Sequence, residues 1–322
     1  MARIDTLNNF LTDVADSIRE KKGITEEIPA ANFDTEIESI SSGGGVDIND
    51  YFSTTITNDN RIGWGRGGML KKTPPMVVDS AVTDLGSLFE GYTGTYIPSI
   101  TGTSQVTTFS SMFRNTSKAT TFPDIDTSSG ILFDSMFQYS AITVVPNLNT
   151  SKAQNISSMF GSCYNITEIP LFDTSSVYNM SDAFYYCNKI TTIPQFNTSN
   201  VQEVQETFAN CAQLATIPLL DFGKVNKIRN TFSSCLHLVD VGGFQDLGKG
   251  FTVNTANYYY YQVNFNESKE LTHDSLVNII NNLYDISSIN IAAQTLTLGA
   301  TNLAKLTEDE IKVATDKGWT VS

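Results

Sequence analysis

Four cysteines, Cys163, Cys187, Cys211 and Cys235, recur at intervals of 24 residues. Thiols so regularly placed could hold a metal ion or close disulfides. Structural zinc sites draw on close pairs with two to four residues between ligands, and no such pair occurs. If one interval is one coil of a stacked array, neighbouring thiols come within bridging range. Parallel side chains in a ladder rarely reach the near-right-angle dihedral of a disulfide, however. The cysteines therefore read as small buried apolar residues, one per coil. The two histidines, His237 and His273, join no nucleophile–base–orienter set. His237, between Leu236 and Leu238, reads as a surface or capping residue. Gly63-Trp64-Gly65-Arg66-Gly67-Gly68 lacks the Lys-Ser/Thr ending of a phosphate loop and reads as a turn. The chain thus predicts no catalytic, cofactor-binding or metal-ligating residue, and an enzyme is the class it supports least.

The elements that would position any site follow the same beat. Pro75, Pro98, Pro123, Pro146, Pro170, Pro194 and Pro218 are 23–25 residues apart, and Phe89, Phe113, Phe137, Phe160, Phe184, Phe208 and Phe232 keep the same interval. A fixed period of this size signals an array in which each unit buries its apolar face only against its neighbours. Ile166-Thr167-Glu168-Ile169-Pro170 typifies a short strand ended by proline, which removes a ladder donor. Asp126-Thr127-Ser128, Asn149-Thr150-Ser151, Asp173-Thr174-Ser175 and Asn197-Thr198-Ser199 are polar corners, fixed by short oxygen-bearing side chains. Sets such as Val177, Met180 and Phe184 then place a short helical or irregular segment facing inward. With adjacent coils about 4.8 Å apart, some eight coils make a rod of about 35–40 Å. The eighth is expected at Leu238-Val239-Asp240-Val241-Gly242. The first coils depart from the pattern: Thr116 and Ser140 replace the cysteine and Gly130 the valine, which predicts looser packing there.

The predicted fold class is an α/β repeat: a solenoid of about eight 24-residue coils with short parallel strands on one face, an N-terminal helical module and an α/β C-terminal cap. Residues 1–41 form the helical docking or oligomerisation module, 42–67 a linker leading in, 68–250 the solenoid and 251–322 the cap. In the first module Ile4, Leu7, Phe10, Leu11, Val14 and Ile18 make one apolar helix face, stopped near Gly23. A second short helix is expected near 30–40, before the Ser41-Ser42-Gly43-Gly44-Gly45 joint. Two such helices have too little core to stand alone and call for another copy or a larger assembly. In the cap, helices are expected near 271–284 and 307–317, a strand near 294–298, and Trp319 packed inside.

Binding is the chemistry that remains. Outward strand positions form one column of Thr143, Thr167 and Thr191, continued by Ala215, and another of Val144, Glu168, Thr192 and Thr216. Such a hydroxyl-rich face suits an extended glycan or a protein surface, although threonine is also simply favoured on strands. Tyr139, Tyr164, Tyr185 and Tyr186 would add stacking platforms. The net charge of −14 argues against nucleic acid. No run of 18 apolar residues predicts a membrane span, and the opening Met1-Ala2-Arg3-Ile4-Asp5 lacks the apolar stretch of a secretory signal. Synthesis in a cytoplasm is therefore expected.

The Asp-Thr-Ser-x-Val-x-x-Met-x-x-x-Phe run from Asp173 to Phe184 resembles the BspA-like leucine-rich repeats of bacterial surface proteins, over residues 68–245. That resemblance implies a leucine-rich-repeat solenoid used in adhesion or scaffolding. Leu11 to Gly23, Ile28 to Phe33, and the stretch from Leu296 to Trp319 resemble the ends of tail- and baseplate-associated proteins of phages of Gram-positive bacteria. They imply a virion protein docked on other virion proteins by its N-terminal helices, in several copies, with the solenoid meeting a host-surface glycan or protein. A decoration or connector protein of neck, capsid or baseplate is the alternative. A bacterial surface adhesin is a second, disfavoured by the missing signal and wall anchor.

Overall fold

The computed structural model describes residues 55–56 and 76–322. The helix face from Ile4 to Ile18 and the linker's glycine-rich turn lie outside these residues.

Successive 24-residue units stack in parallel. Asp84, Thr108, Leu132, Asn155, Asn179, Glu203 and Lys227 form a continuous chain of parallel bridges, each to the equivalent residue of the next unit. The seven phenylalanines form a buried column with ring centroids 5.4–6.1 Å apart and planes within 21°. This is the inward column that the repeat spacing predicts.

The strongest coil-to-coil pairing lies around the phenylalanine. Alternate amides donate forward: Ser111 N–H to Asp134 O, Phe113 N–H to Met136 O and Asn115 N–H to Gln138 O, at 2.7–2.8 Å. The amides between them close local turns, as Met112 to Phe109 O and Arg114 to Ser111 O. This alternation needs left-handed backbone two residues before and two after each phenylalanine. Ser111 (φ 57°) and Asn115 (φ 60°) flank Phe113, and Asp182 (φ 57°) and Tyr186 (φ 58°) flank Phe184. Outside glycine such a conformation costs about 1–2 kcal/mol, here offset by the inter-coil hydrogen bonds. Serine, asparagine and aspartate fill most of these places, and asparagine and aspartate tolerate them well.

Strands are fewer than expected. β1 (Thr55–Ile56), β2 (Met76–Val78) and β3 (Ile100–Thr101) pair at one end. At the other, β4 (Thr216–Ile217) pairs with β6 (Asp240–Val241), and β5 (Leu220–Asp221) with β7 (Phe244–Gln245). The segments before Pro146 and Pro170 are not strands, and Thr192 makes a single bridge to Thr216. Proline follows phenylalanine by nine residues in the units of Phe89 and Phe137 but by ten in the others. The offset shifts the segments before Pro98 and Pro146 by one residue against their neighbours, while the phenylalanine turn keeps its register.

The first coils are filled rather than loose. Thr116 Oγ1 donates to Phe113 O at 2.8 Å. The space left by Gly130 is taken by the Phe133 ring, which stacks on Phe109 at 5.4 Å.

The stack also runs past residue 250. Phe265 lies on Phe232 at 5.1 Å and 14°, Ile228 N–H donates to Tyr260 O, and Ser268 Oγ donates to Cys235 O, 33 residues away, at 3.0 Å. One more turn is thus present, its step nine residues longer than the repeat. Over it lies a parallel sheet in the order β10 (Trp319–Val321), β9 (Gln294–Thr297), β8 (Val263–Asn264). Helix α1 (His273–Asn281) closes the last strand: buried Ser275 Oγ accepts from Val241 N–H at 3.0 Å and donates to Val239 O at 3.1 Å. After α2 (Ala300–Leu303), helix α3 (Glu308–Asp316) opens with a capping box between Thr307 and Glu310. Trp319 is buried and its Nε1 donates to Tyr284 O at 3.0 Å. Helices, strand and tryptophan stand where the sequence places them.

Candidate functional site

The thiol ladder is structural. All four cysteines are free and buried. Each sulfur lies 3.0–3.2 Å from the phenylalanine carbonyl of the preceding coil and donates to it: Cys163 to Phe137, Cys187 to Phe160, Cys211 to Phe184 and Cys235 to Phe208. The sequence reading recognised the burial but not this donor role. Burial pushes Cys163 and Cys235 up to about 12 and raises the two inner thiols well above their ordinary value. A thiol so held is not a nucleophile at neutral pH. An aromatic disulfide reagent at pH 8 should leave all four cysteines of the folded chain unmodified, and denaturant should expose them together. Rapid labelling of native protein would contradict the ladder.

Among the described residues, no group of three His, Cys, Asp or Glu side chains is placed to hold a metal ion, and no helix is long and apolar enough to cross a membrane. His237 is a surface residue, its Nδ1 3.2 Å from Glu270.

The predicted ligand residues fall into two sets. Thr143, Thr167, Glu168, Thr191 and Thr192 are exposed and Thr216 is half-buried. They follow one another coil by coil before the prolines. The polar corner beneath them is rigid: Ser128, Ser151, Ser175 and Ser199 N–H each donate to the Asp or Asn side chain two residues earlier. Thr143 N–H and Oγ1 both donate to Thr120 O, at 3.1 and 3.2 Å, so this hydroxyl is partly engaged. Val144 and Leu171 are exposed nearby and make the face partly apolar.

The tyrosines form the second set, at the phenylalanine turn. Tyr185 and Tyr186 meet edge to face at 4.7 Å and 81°, and Tyr164 meets Tyr186 at 6.4 Å and 74°. Tyr139 and Tyr164 are exposed. Burial, and then the charges of Tyr186, Glu206, Asp182 and Tyr139, raise the Tyr185 phenol, which places these groups around it. Among the described residues no hydrogen bond or ring contact joins this cluster to the threonine columns.

The sequence reading passed over Asp182 and Glu206. Both stand two residues before the phenylalanine, where Ser87, Ser111, Ser135 and Ser158 stand in earlier coils. That change from serine to acid within one register was the signal. Burial, and secondarily Glu206, push Asp182 up to about 6.

Stacked 24-residue units, a buried ring column and outward side-chain columns define a BspA-like repeat protein. The chain belongs to the family described as "Mycoplasma protein of unknown function, DUF285", which matches residues 83–168 and again 132–244, together half of the chain. No curated relative and no solved structure matches it.

Proposed function

We propose that the chain is a non-enzymatic virion protein of tail-fibre or baseplate type. Its repeats act as a leucine-rich-repeat solenoid that presents binding columns to a host-surface glycan or protein. The N-terminal helix face of Ile4, Leu7, Phe10, Leu11, Val14 and Ile18 docks it, in several copies, on other virion proteins. Multiplicity lets each contact be weak. The observation that carries the binding role is the exposure of Thr143, Thr167, Glu168, Thr191 and Thr192 at regular coil spacing beside a fully buried ring column. A rigid periodic surface suits an extended, repetitive ligand. The virion assignment rests on the resemblance of the two terminal stretches.

Immunogold labelling of particles purified from the producing cells tests the assignment. Label at the tail tip or on radiating fibres is the expected result. Label on the head or neck would favour a connector role instead, and particles without label would remove the virion reading.

A further inference from the structure

Three acids on the outer surface of the stack are matched to a base one coil on. Glu90 pairs with Arg114 at 3.0 Å, Glu203 with Lys227 at 2.5 Å, and Glu206 with Arg229 at 3.9 Å. Asp182 has no such match, and it is half-buried. The residue following it in its register is Glu206, a like charge, and among the described residues no cation or hydrogen-bond donor meets its carboxylate. The carboxylate is half-buried beside Tyr185. A partly desolvated, unmatched negative charge is costly unless a ligand supplies the counter-charge.

The tyrosines specify that ligand further. Tyr186 stands between Tyr185 and Tyr164, and both meet it at steep angles, 81° and 74°. Rings so disposed present faces in different directions, and the negative face of an aromatic ring attracts cations. Aromatic faces beside a single carboxylate suit a weakly hydrated cation whose apolar surface packs on the rings.

We propose that Tyr164, Tyr185 and Tyr186, with Asp182 and the neighbouring Tyr139, form a surface site for a compact quaternary-ammonium group. The rings supply cation–π contact and Asp182 the counter-charge. The inference rests on the reading of the repeats as a binding surface but not on where a particle carries the protein. It adds a pH dependence whose sign is fixed. Asp182 is pushed up to about 6, so the site is charged above that pH and loses its counter-charge as pH falls through it. The groups facing Asp182 are Glu206, itself beside Arg229, the Ser158 register position of the preceding coil, and Tyr185. The Tyr185 phenol is itself raised and stays neutral through this range.

Titration of the full chain with tetramethylammonium tests the site, followed by calorimetry and by ring-proton shifts in NMR. The control is 3,3-dimethylbutan-1-ol, which presents a tert-butyl group of similar shape without the charge. Binding of the cation at pH 7.5, with affinity about tenfold lower at pH 5 and no matching response to the alcohol, is the expected result. Asp182→Ser and Tyr186→Asn restore residues that other coils carry at these left-handed positions, as Ser158 and Asn210 do, so both should fold. Each should weaken binding about tenfold, while Glu168→Gln on the threonine face should not. Displacement of the cation by phosphatidylcholine vesicles would assign a lipid source, and displacement by a soluble phosphocholine-bearing polymer a polymer source; displacement by neither overturns the site. Equal binding of alcohol and cation, or no binding of either at millimolar concentration, also overturns it. These outcomes leave the particle assignment to its own labelling test.

Discussion

Phe184→Ala is expected to lower the unfolding free energy by about 3–5 kcal/mol, the usual cost of deleting a buried phenylalanine ring. Phe184 is 1% exposed. It stacks on Phe160 at 5.8 Å and Phe208 at 5.7 Å, with Phe196 a third ring at 6.0 Å. Its neighbours cannot collapse into the gap, because each is held by the backbone pairing of its own turn. Phe160 N–H donates to Ala183 O and Phe208 N–H to Thr231 O. The cavity would therefore persist, and the loss should fall at the upper end of the range. In an array each unit is stabilised by its neighbours, so a central defect weakens two interfaces at once. Urea unfolding should show either a lower midpoint or a broadened transition as the halves uncouple. Tyr178→Ala, at an exposed position, should shift the midpoint little. A loss below about 1 kcal/mol for Phe184→Ala, in the range of an ordinary surface change, would mean that the ring column is not the core.

How much of this was readable from the residues depends on whether the information was local or relational. The polar corners were legible because their physics is local: Asp173 takes the N–H and hydroxyl of Ser175, two residues on. The ring column was legible because a nearly constant period brings equivalent residues into contact. The final turn of the stack was not. Phe265 completes the column, but a step nine residues longer hides it from any search at 24, and only the contact with Phe232 reveals the register. The shift of the main pairing to the phenylalanine turn was also hidden. Serine and asparagine are commonest at the left-handed positions there, but glutamate and tyrosine adopt them too, so no single residue type marks them. Among the candidate ligand residues, exposure of the threonines followed from their place between the apolar residues of each short run. The tyrosine cluster did not, since it depends on how residues from neighbouring coils meet across the stack. The mismatch at Asp182 depends on the residue one coil away, which becomes a neighbour only once the coils are stacked.

Gly130 tests whether the repeat pattern or the local packing governs a coil. Five other units carry valine at this place, namely Val82, Val106, Val177, Val201 and Val225. A pattern-based argument would predict that Gly130→Val stabilises the coil. The opposite is expected. A Cβ at residue 130 would lie 2.3 Å from Phe133 Cζ, 2.7 Å from its Cε2 and 3.0 Å from Thr127 O. The ring cannot retreat without leaving its stack with Phe109, and the carbonyl belongs to the corner that accepts from Gly130 N–H at 2.8 Å. Overpacking of this kind costs about 1–3 kcal/mol. Phe133→Leu opens the space, since leucine accompanies valine in the unit of Val82 and Leu85. The double variant should therefore be more stable than the sum of the two single changes implies, by about 1 kcal/mol or more, the coupling expected of residues in direct contact. It should still fall short of the parent, because the ring stack with Phe109 is gone. Thermal or urea unfolding of the four proteins reads this directly. Strict additivity would show that glycine and phenylalanine at these places are independent, and that the valine pattern alone sets the stability of the coil.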